Sequence, residues 1–162
     1  MIPLTFRFST EEDGVHLKEW LLEPQVLRWF PMYDEREVDD AVRVWMGYNR
    51  IQATLTAESE GKPCGMALLY IQPFKKLAHT CLLSIIVKKE FRGQGVGRQL
   101  LTQLMKMAKN KFHIEILHLE VYEGNPAQHL YEKLGFKEFG VHSRFIKEEE
   151  GYLPKRFMQK RL

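Results

Sequence analysis

Apolar and polar positions change period several times along the chain, and each change marks an element. Leu4 to Phe8 alternates in the manner of a short half-buried strand. Ser9-Thr10 followed by Glu11-Glu12-Asp13 is a helix-start pattern with acids in the first turn, and a helix to about Leu22 turns Val15, Leu17, Trp20 and Leu21 inward. Pro24 opens a second short helix with Val26, Leu27, Trp29 and Phe30, stopped by Pro31. A third helix is predicted from Glu35 to Asn49, because Val38, Ala41, Val42, Trp45 and Met46 fall at helical spacing.

From Ile51 the period becomes two. Gln52 to Ala57 and Pro63 to Ile71 read as hairpin strands around the turn Glu60-Gly61-Lys62. After a loop at Pro73, Cys81 to Val87 is a continuous apolar run, the pattern of a strand covered on both faces. A helix follows from Val96 to about Lys111, with Leu100, Leu101, Leu104, Met105 and Ala108 on its apolar side. Ile114 to Tyr122 is a strand, Pro126 to Leu134 a short helix, and Gly135 its stop. Phe136 to Ile146 and Tyr152 to Leu162 are strands joined at Glu148-Glu149-Glu150-Gly151. No repeat or linker interrupts this order, which predicts one α/β domain over residues 1–162 with a mixed sheet.

Between the apolar strand and the long helix lies Arg92-Gly93-Gln94-Gly95-Val96-Gly97-Arg98. Glycines that end a strand and open a helix leave backbone N–H groups free at the positive end of the helix dipole, a site for phosphate. A dinucleotide fingerprint needs G-x-G-x-x-G early in the chain, whereas these glycines fall as G-x-G-x-G after a hairpin. A phosphate-binding P-loop needs Gly-Lys followed by Ser or Thr, and Gly97 precedes Arg98-Gln99. A plain helix cap requires one glycine rather than three. The stretch is therefore a candidate anion site.

Composition narrows the classes further. A net charge of +3, spread along 162 residues, is too weak to point to nucleic acid. Two cysteines without C-x-x-C spacing suit a reducing, cytoplasmic home. The six histidines form no H-x-x-x-H pair, so no metal site is expected. No apolar run is long enough to cross a bilayer, so no membrane association is expected. The oligomeric state is open, with a homodimer among the choices.

Ile85-Ile86-Val87-Lys88-Lys89-Glu90-Phe91-Arg92-Gly93-Gln94-Gly95-Val96-Gly97 resembles the acyl-CoA-binding motif of the GNAT N-acetyltransferases, R/Q-x-x-G-x-G/A, filled here by Arg92, Gly95 and Gly97. Asn125-Pro126-Ala127 with Leu130-Tyr131-Glu132-Lys133-Leu134-Gly135-Phe136 resembles the family's second signature. The resemblance covers essentially the whole chain, nearest the ribosomal-protein and amino-acid N-acetyltransferase branches. It implies the GNAT fold: about seven strands, about four helices, and splayed parallel strands in the middle. It also implies acetyl-CoA as acyl donor and a primary amine as acceptor, either a protein N-terminus or lysine or a small amine. Backbone amides from Gly93 through Gln94, Gly95, Val96 and Gly97 to Arg98 would cradle the pyrophosphate, with Arg92 and Arg98 adding charge. Ile85, Ile86 and Val87 would offer backbone groups to the pantetheine arm, and Asn125 would contact it. A catalytically silent CoA-binding or partner-binding domain is the alternative.

Acetyl transfer needs a neutral amine, a donor for the oxyanion and a proton for the leaving thiolate. The resemblance gives the last task to Tyr131, and the oxyanion to a backbone N–H near Ile86 or Val87. Two departures follow. Many members place a glutamate where this chain has Cys81, so the base moves to Glu120 in Leu117-His118-Leu119-Glu120-Val121-Tyr122, with His79 or water as other routes. The step from Asn125 to Tyr131 is one residue shorter than usual, which offsets Asn125. The acidic run Asp34 to Asp40 reads as a solvated helix face, and Trp20, Trp29 and Trp45 read as core.

Overall fold

In the computed structural model, which describes residues 2–162, helices cover the two faces of a sheet unequally. The order is β1 (Thr5–Phe8), α1 (Asp13–Leu22), α2 (Pro24–Leu27), α3 (Glu35–Gly47), β2 (Thr54–Ser59), β3 (Lys62–Tyr70), β4 (Thr80–Val87), α4 (Val96–Phe112), β5 (Ile116–Tyr122), α5 (Ala127–Lys133), β6 (Lys137–Glu148) and β7 (Gly151–Arg161). The seven strands lie in the order β1-β2-β3-β4-β5-β7-β6. Every pairing is antiparallel except β4 with β5. The mixed α/β architecture is the expected one. There are five helices rather than about four, because Pro24 restarts the backbone in a separate turn directly after α1.

Each face carries its own core. Leu100, Leu101, Leu104 and Ala108 of α4 pack on Leu83, Leu117, Leu119 and Val121. On the other face Leu17, Trp20 and Leu21 of α1 and Val38, Trp45 and Met46 of α3 pack on Met66, Leu68 and Ile86. Trp20 and Trp45 are thus core residues, as expected. Val15 is not: it is 71% exposed, because the buried stripe of α1 runs through Gly14, Leu17, Trp20 and Leu21 on the other side of the helix.

Helix α1 begins at Asp13, later than its acidic run suggests, since that carboxylate is drawn inward. Asp13 accepts from both Arg7 guanidinium nitrogens at 2.7 and 2.9 Å, from the Thr10 N–H and from the Thr56 hydroxyl. Strand β2 begins at Thr54 rather than Gln52, because Tyr48–Ile51 continues α3 as a 3-10 turn and Gln52 takes a left-handed φ of 54°. The acidic run before α3 is a cap and a solvated face. Asp34 accepts from the Glu37 N–H, and Glu35 and Asp39 pair with Lys18.

Candidate active site

The middle of the sheet opens. Strands β4 and β5 pair only at Thr80–Ile116, Cys81–Leu117 and Leu82–His118. Beyond that point β4 is paired with β3 alone, and β5 with β7 alone. The facing edges from Leu83 to Val87 and from Leu119 to Tyr122 carry backbone groups with no strand between them, which is the splay the sequence leads one to expect. Ile85, Ile86 and Val87 all lie on this open edge. Ile85 and Val87 turn toward α4, and Ile86 packs against the α1–α3 side.

Helix α4 starts where β4 ends. Its first ladder bond runs from the Gln99 N–H to the Gly95 carbonyl, so the N–H groups of Val96, Gly97 and Arg98 precede the ladder, and no side chain caps them. Gly93 and Gly95 hold left-handed φ values of 73° and 84°, which a side chain would strain. Gly97 has another reason for being glycine: a Cβ there would stand 3.1 Å from the Leu130 side chain of α5. Val96 is buried and anchors the turn rather than presenting a side chain. Arg92 donates to the Val87 carbonyl at 3.0 Å and Gln94 to the Glu90 carbonyl at 2.6 Å, bracing the loop. Arg98 stands exposed at its rim.

Tyr131 and Glu120 lie on opposite faces of the sheet. Tyr131 is 8% exposed within the α4-side core, edge-on to Phe136. Burial pushes its phenol up to about 12, so it is protonated at neutral pH and able to give a proton. Glu120 alternates with core-facing Leu119 and Val121 and so lies on the α1–α3 side with His118 and Tyr122. It is not a free carboxylate: Lys155 of β7 donates to its Oε2 at 2.5 Å. His118 is half-buried, meets the Thr80 hydroxyl at 3.3 Å, and is held below the usual histidine value by desolvation. Tyr70 and Ser84 meet on the same face at 3.5 Å.

Cys81 and His79 lie at the paired end of β4 and β5. Cys81 is buried and its thiol pushed up to about 12, so it is neither base nor nucleophile. His79 precedes the closed end of the β4–β5 pair, where its carbonyl accepts from Glu115 and Ile116. Asn125 accepts the Ala127 N–H on its side-chain carbonyl at 3.0 Å, in a local turn at the start of α5, and its amide N–H groups remain available.

Sequence reasoning missed Lys155, read only as part of a terminal strand, and Trp29, read as core. The signal for Lys155 was its period-two placement with Phe157 in β7. Trp29 is half-buried and reaches Gly124, at the end of β5. With Arg28, Glu123, Glu148, Glu150 and Tyr152 it lines a cavity of about 520 Å³. Among the described residues no helix is long and apolar enough to cross a membrane.

The model of the acetyltransferase (GNAT) family matches residues 15–136. The N-alpha-acetyltransferase of Sulfolobus acidocaldarius is 33% identical over 112 residues, covering 63% of this chain and 67% of that protein. The N-alpha-acetyltransferase of Sulfurisphaera tokodaii is 40% identical over 74 residues, 44% of each. The chain thus spans less than half of the latter's length. Among solved structures, the ribosomal-protein-alanine N-acetyltransferase of Brucella melitensis superposes with a TM-score of 0.80 at 28% identity, covering 98% of this chain and 99% of that one. A Salmonella typhimurium protein described as an acetyltransferase, solved with its cofactor acetyl-CoA, gives 0.82 at 22% identity, covering 98% and 94%.

Proposed function

The chain belongs to the acetyltransferase (GNAT) family, and we propose that it moves an acetyl group from acetyl-CoA to the primary amine of a protein or peptide N-terminus. The observation that carries this reading is the β4–β5 ladder, which opens after Leu82–His118 directly beside the uncapped start of α4. The residues present fit the donor. Left-handed Gly93 and Gly95 and the free N–H groups of Val96, Gly97 and Arg98 suit a pyrophosphate, and the bare edge of β4 suits a strand-like pantetheine arm. Acetyl-CoA supplies an activated thioester. The names of the relatives support an α-amine acceptor.

The chain's own groups divide the remaining work. Glu120 takes the proton that the amine loses as the new C–N bond forms, directly or through water. A backbone N–H near Ile86 or Val87 meets the charge that develops on the carbonyl oxygen. Tyr131, protonated in its buried setting, gives its proton to the departing sulfur. Attack is direct, in a ternary complex. Both cysteines are free and buried, which suits a cytoplasmic protein.

The test is a steady-state panel of peptides and small amines scored by CoA release. Turnover with peptides carrying a free N-terminus supports the reading. A protein stabilised by acetyl-CoA that releases no CoA with any amine would instead be a silent binder.

A further inference from the structure

Two charged side chains are buried among the described residues, Asp13 and Lys155. Asp13 is enclosed by Arg7, the Thr10 N–H and the Thr56 hydroxyl, and its burial is fully answered. Lys155 is answered by one carboxylate only, that of Glu120. Its ammonium has three N–H donors, and it lies 3.8 Å from the centre of the Phe145 ring and 5.7 Å from that of Tyr122. An ammonium is costly to take from water, and a strand-to-strand pair of apolar residues would fill this space without that cost. The position is also specific: Lys155 stands opposite Tyr122 on β5, on the sheet face that carries the proposed base Glu120.

We propose that Lys155 neutralises Glu120, so that the acceptor site receives an uncharged amine and the protein selects α-amines over lysine ε-amines. The proposal rests on the reading of Glu120 as the base. A lone carboxylate would hold an incoming ammonium as an ion pair, and an ammonium has no lone pair with which to attack. With Lys155 in place the pair carries no net charge, and an arriving ammonium meets a like charge one side chain away. A neutral amine meets none, and still finds a carboxylate oxygen to accept its proton as it reacts. At about pH 7.5 roughly a quarter or more of an α-amine is neutral against about a thousandth of a lysine, a discrimination on the order of two-hundred-fold.

The other titratable groups facing this pair are His118 and Tyr122 on β5, Tyr70 on β3, and His142, which stands opposite Lys155 on β6. Glu148 lies within electrostatic reach of Tyr122. No ion pair joins any of them to Lys155 among the described residues.

The experiment uses the full chain, acetyl-CoA and two peptides of matched sequence, one with a free N-terminal alanine and no lysine, the other with a blocked N-terminus and one lysine. The readout is kcat/KM for each by CoA release at about pH 7.5, in the wild type, Lys155→Met, Lys155→Arg and Glu120→Gln. The wild type should favour the α-amine by about two hundred-fold or more. Lys155→Met should narrow that ratio at least about tenfold, the loss of one opposing charge, while Lys155→Arg keeps it. If Lys155→Met lowers both rates by the same factor, the ratio being unchanged, Lys155 is only structural and the proposal is overturned. Normal rates and pH profile in Glu120→Gln would instead remove Glu120 as the base, and the proposal with it. Should Lys155→Met fail to fold, Lys155→Gln is read in its place by the same ratio, and an unchanged ratio there overturns the proposal. In the wild type the lysine-peptide rate must also rise about five- to sevenfold per unit between about pH 8 and 10 relative to the α-amine rate, and a flat ratio overturns the proposal.

Discussion

Tyr131 shows how much a single side chain depends on where its hydroxyl is kept. Surrounded by core and edge-on to Phe136, it keeps its proton at neutral pH, and in the proposed reaction it gives that proton to the thiolate as the C–S bond breaks. Tyr131→Phe should lower kcat by roughly 10²-fold or more while leaving the acetyl-CoA dissociation constant within about twofold; equal losses in both would take the acid role away. Asp13 makes the opposite case. Burial opposes its charge, but the hydrogen bonds from Arg7, the Thr10 N–H and Thr56 outweigh burial and hold the carboxyl below the usual range. With a folded value below the unfolded one, its stabilisation is present above about pH 4 and is lost as pH falls further. Asp13→Asn should cost about 3 kcal/mol at pH 7 and progressively less as pH falls below about 4, read as urea midpoints. Tyr131 was legible in the sequence because a motif surrounds it. The Arg7–Asp13 and Glu120–Lys155 pairs were not, since each joins residues on separate strands or helices whose register a pattern of apolar positions leaves open.

At the scale of elements, the start of α4 joins the glycine loop to α5. Gly95 must hold φ near 84°, and Gly97 must let Leu130 of α5 come close. The two positions should therefore fail differently. Gly95→Val should abolish acetyl-CoA binding, measured by calorimetry, with the far-ultraviolet spectrum unchanged, because the strain falls on the loop. Gly97→Val should push α5 away and carry Tyr131 with it, so kcat should fall more than affinity for the donor. The order and type of the elements were readable from periodicity, since helix and strand periods leave different apolar spacings over ten residues. Their ends were less so. Gln52 and Asp13 are placed by a left-handed turn and an ion pair between β1 and α1, neither of which leaves a periodic trace.

For the whole molecule, the opening between β4 and β5 means that the sheet is weakest where it works. A ligand bound there adds the missing contacts to both edges, so acetyl-CoA at one hundred times its dissociation constant should stabilise the fold by about 2.7 kcal/mol, seen as a rise in melting temperature that Gly95→Val removes. Strand β7 has a further consequence. It is inserted between β5 and β6, although it follows both in the chain. A nascent chain that has emerged only as far as Glu150 can hold the helices and the β1–β4 meander, but its β5 has no neighbour on the outer edge and its Glu120 no Lys155. The β1–β4 half can therefore form while β7 is still unmade, whereas the face carrying Glu120 and Lys155 is assembled only once β7 enters its slot between β5 and β6.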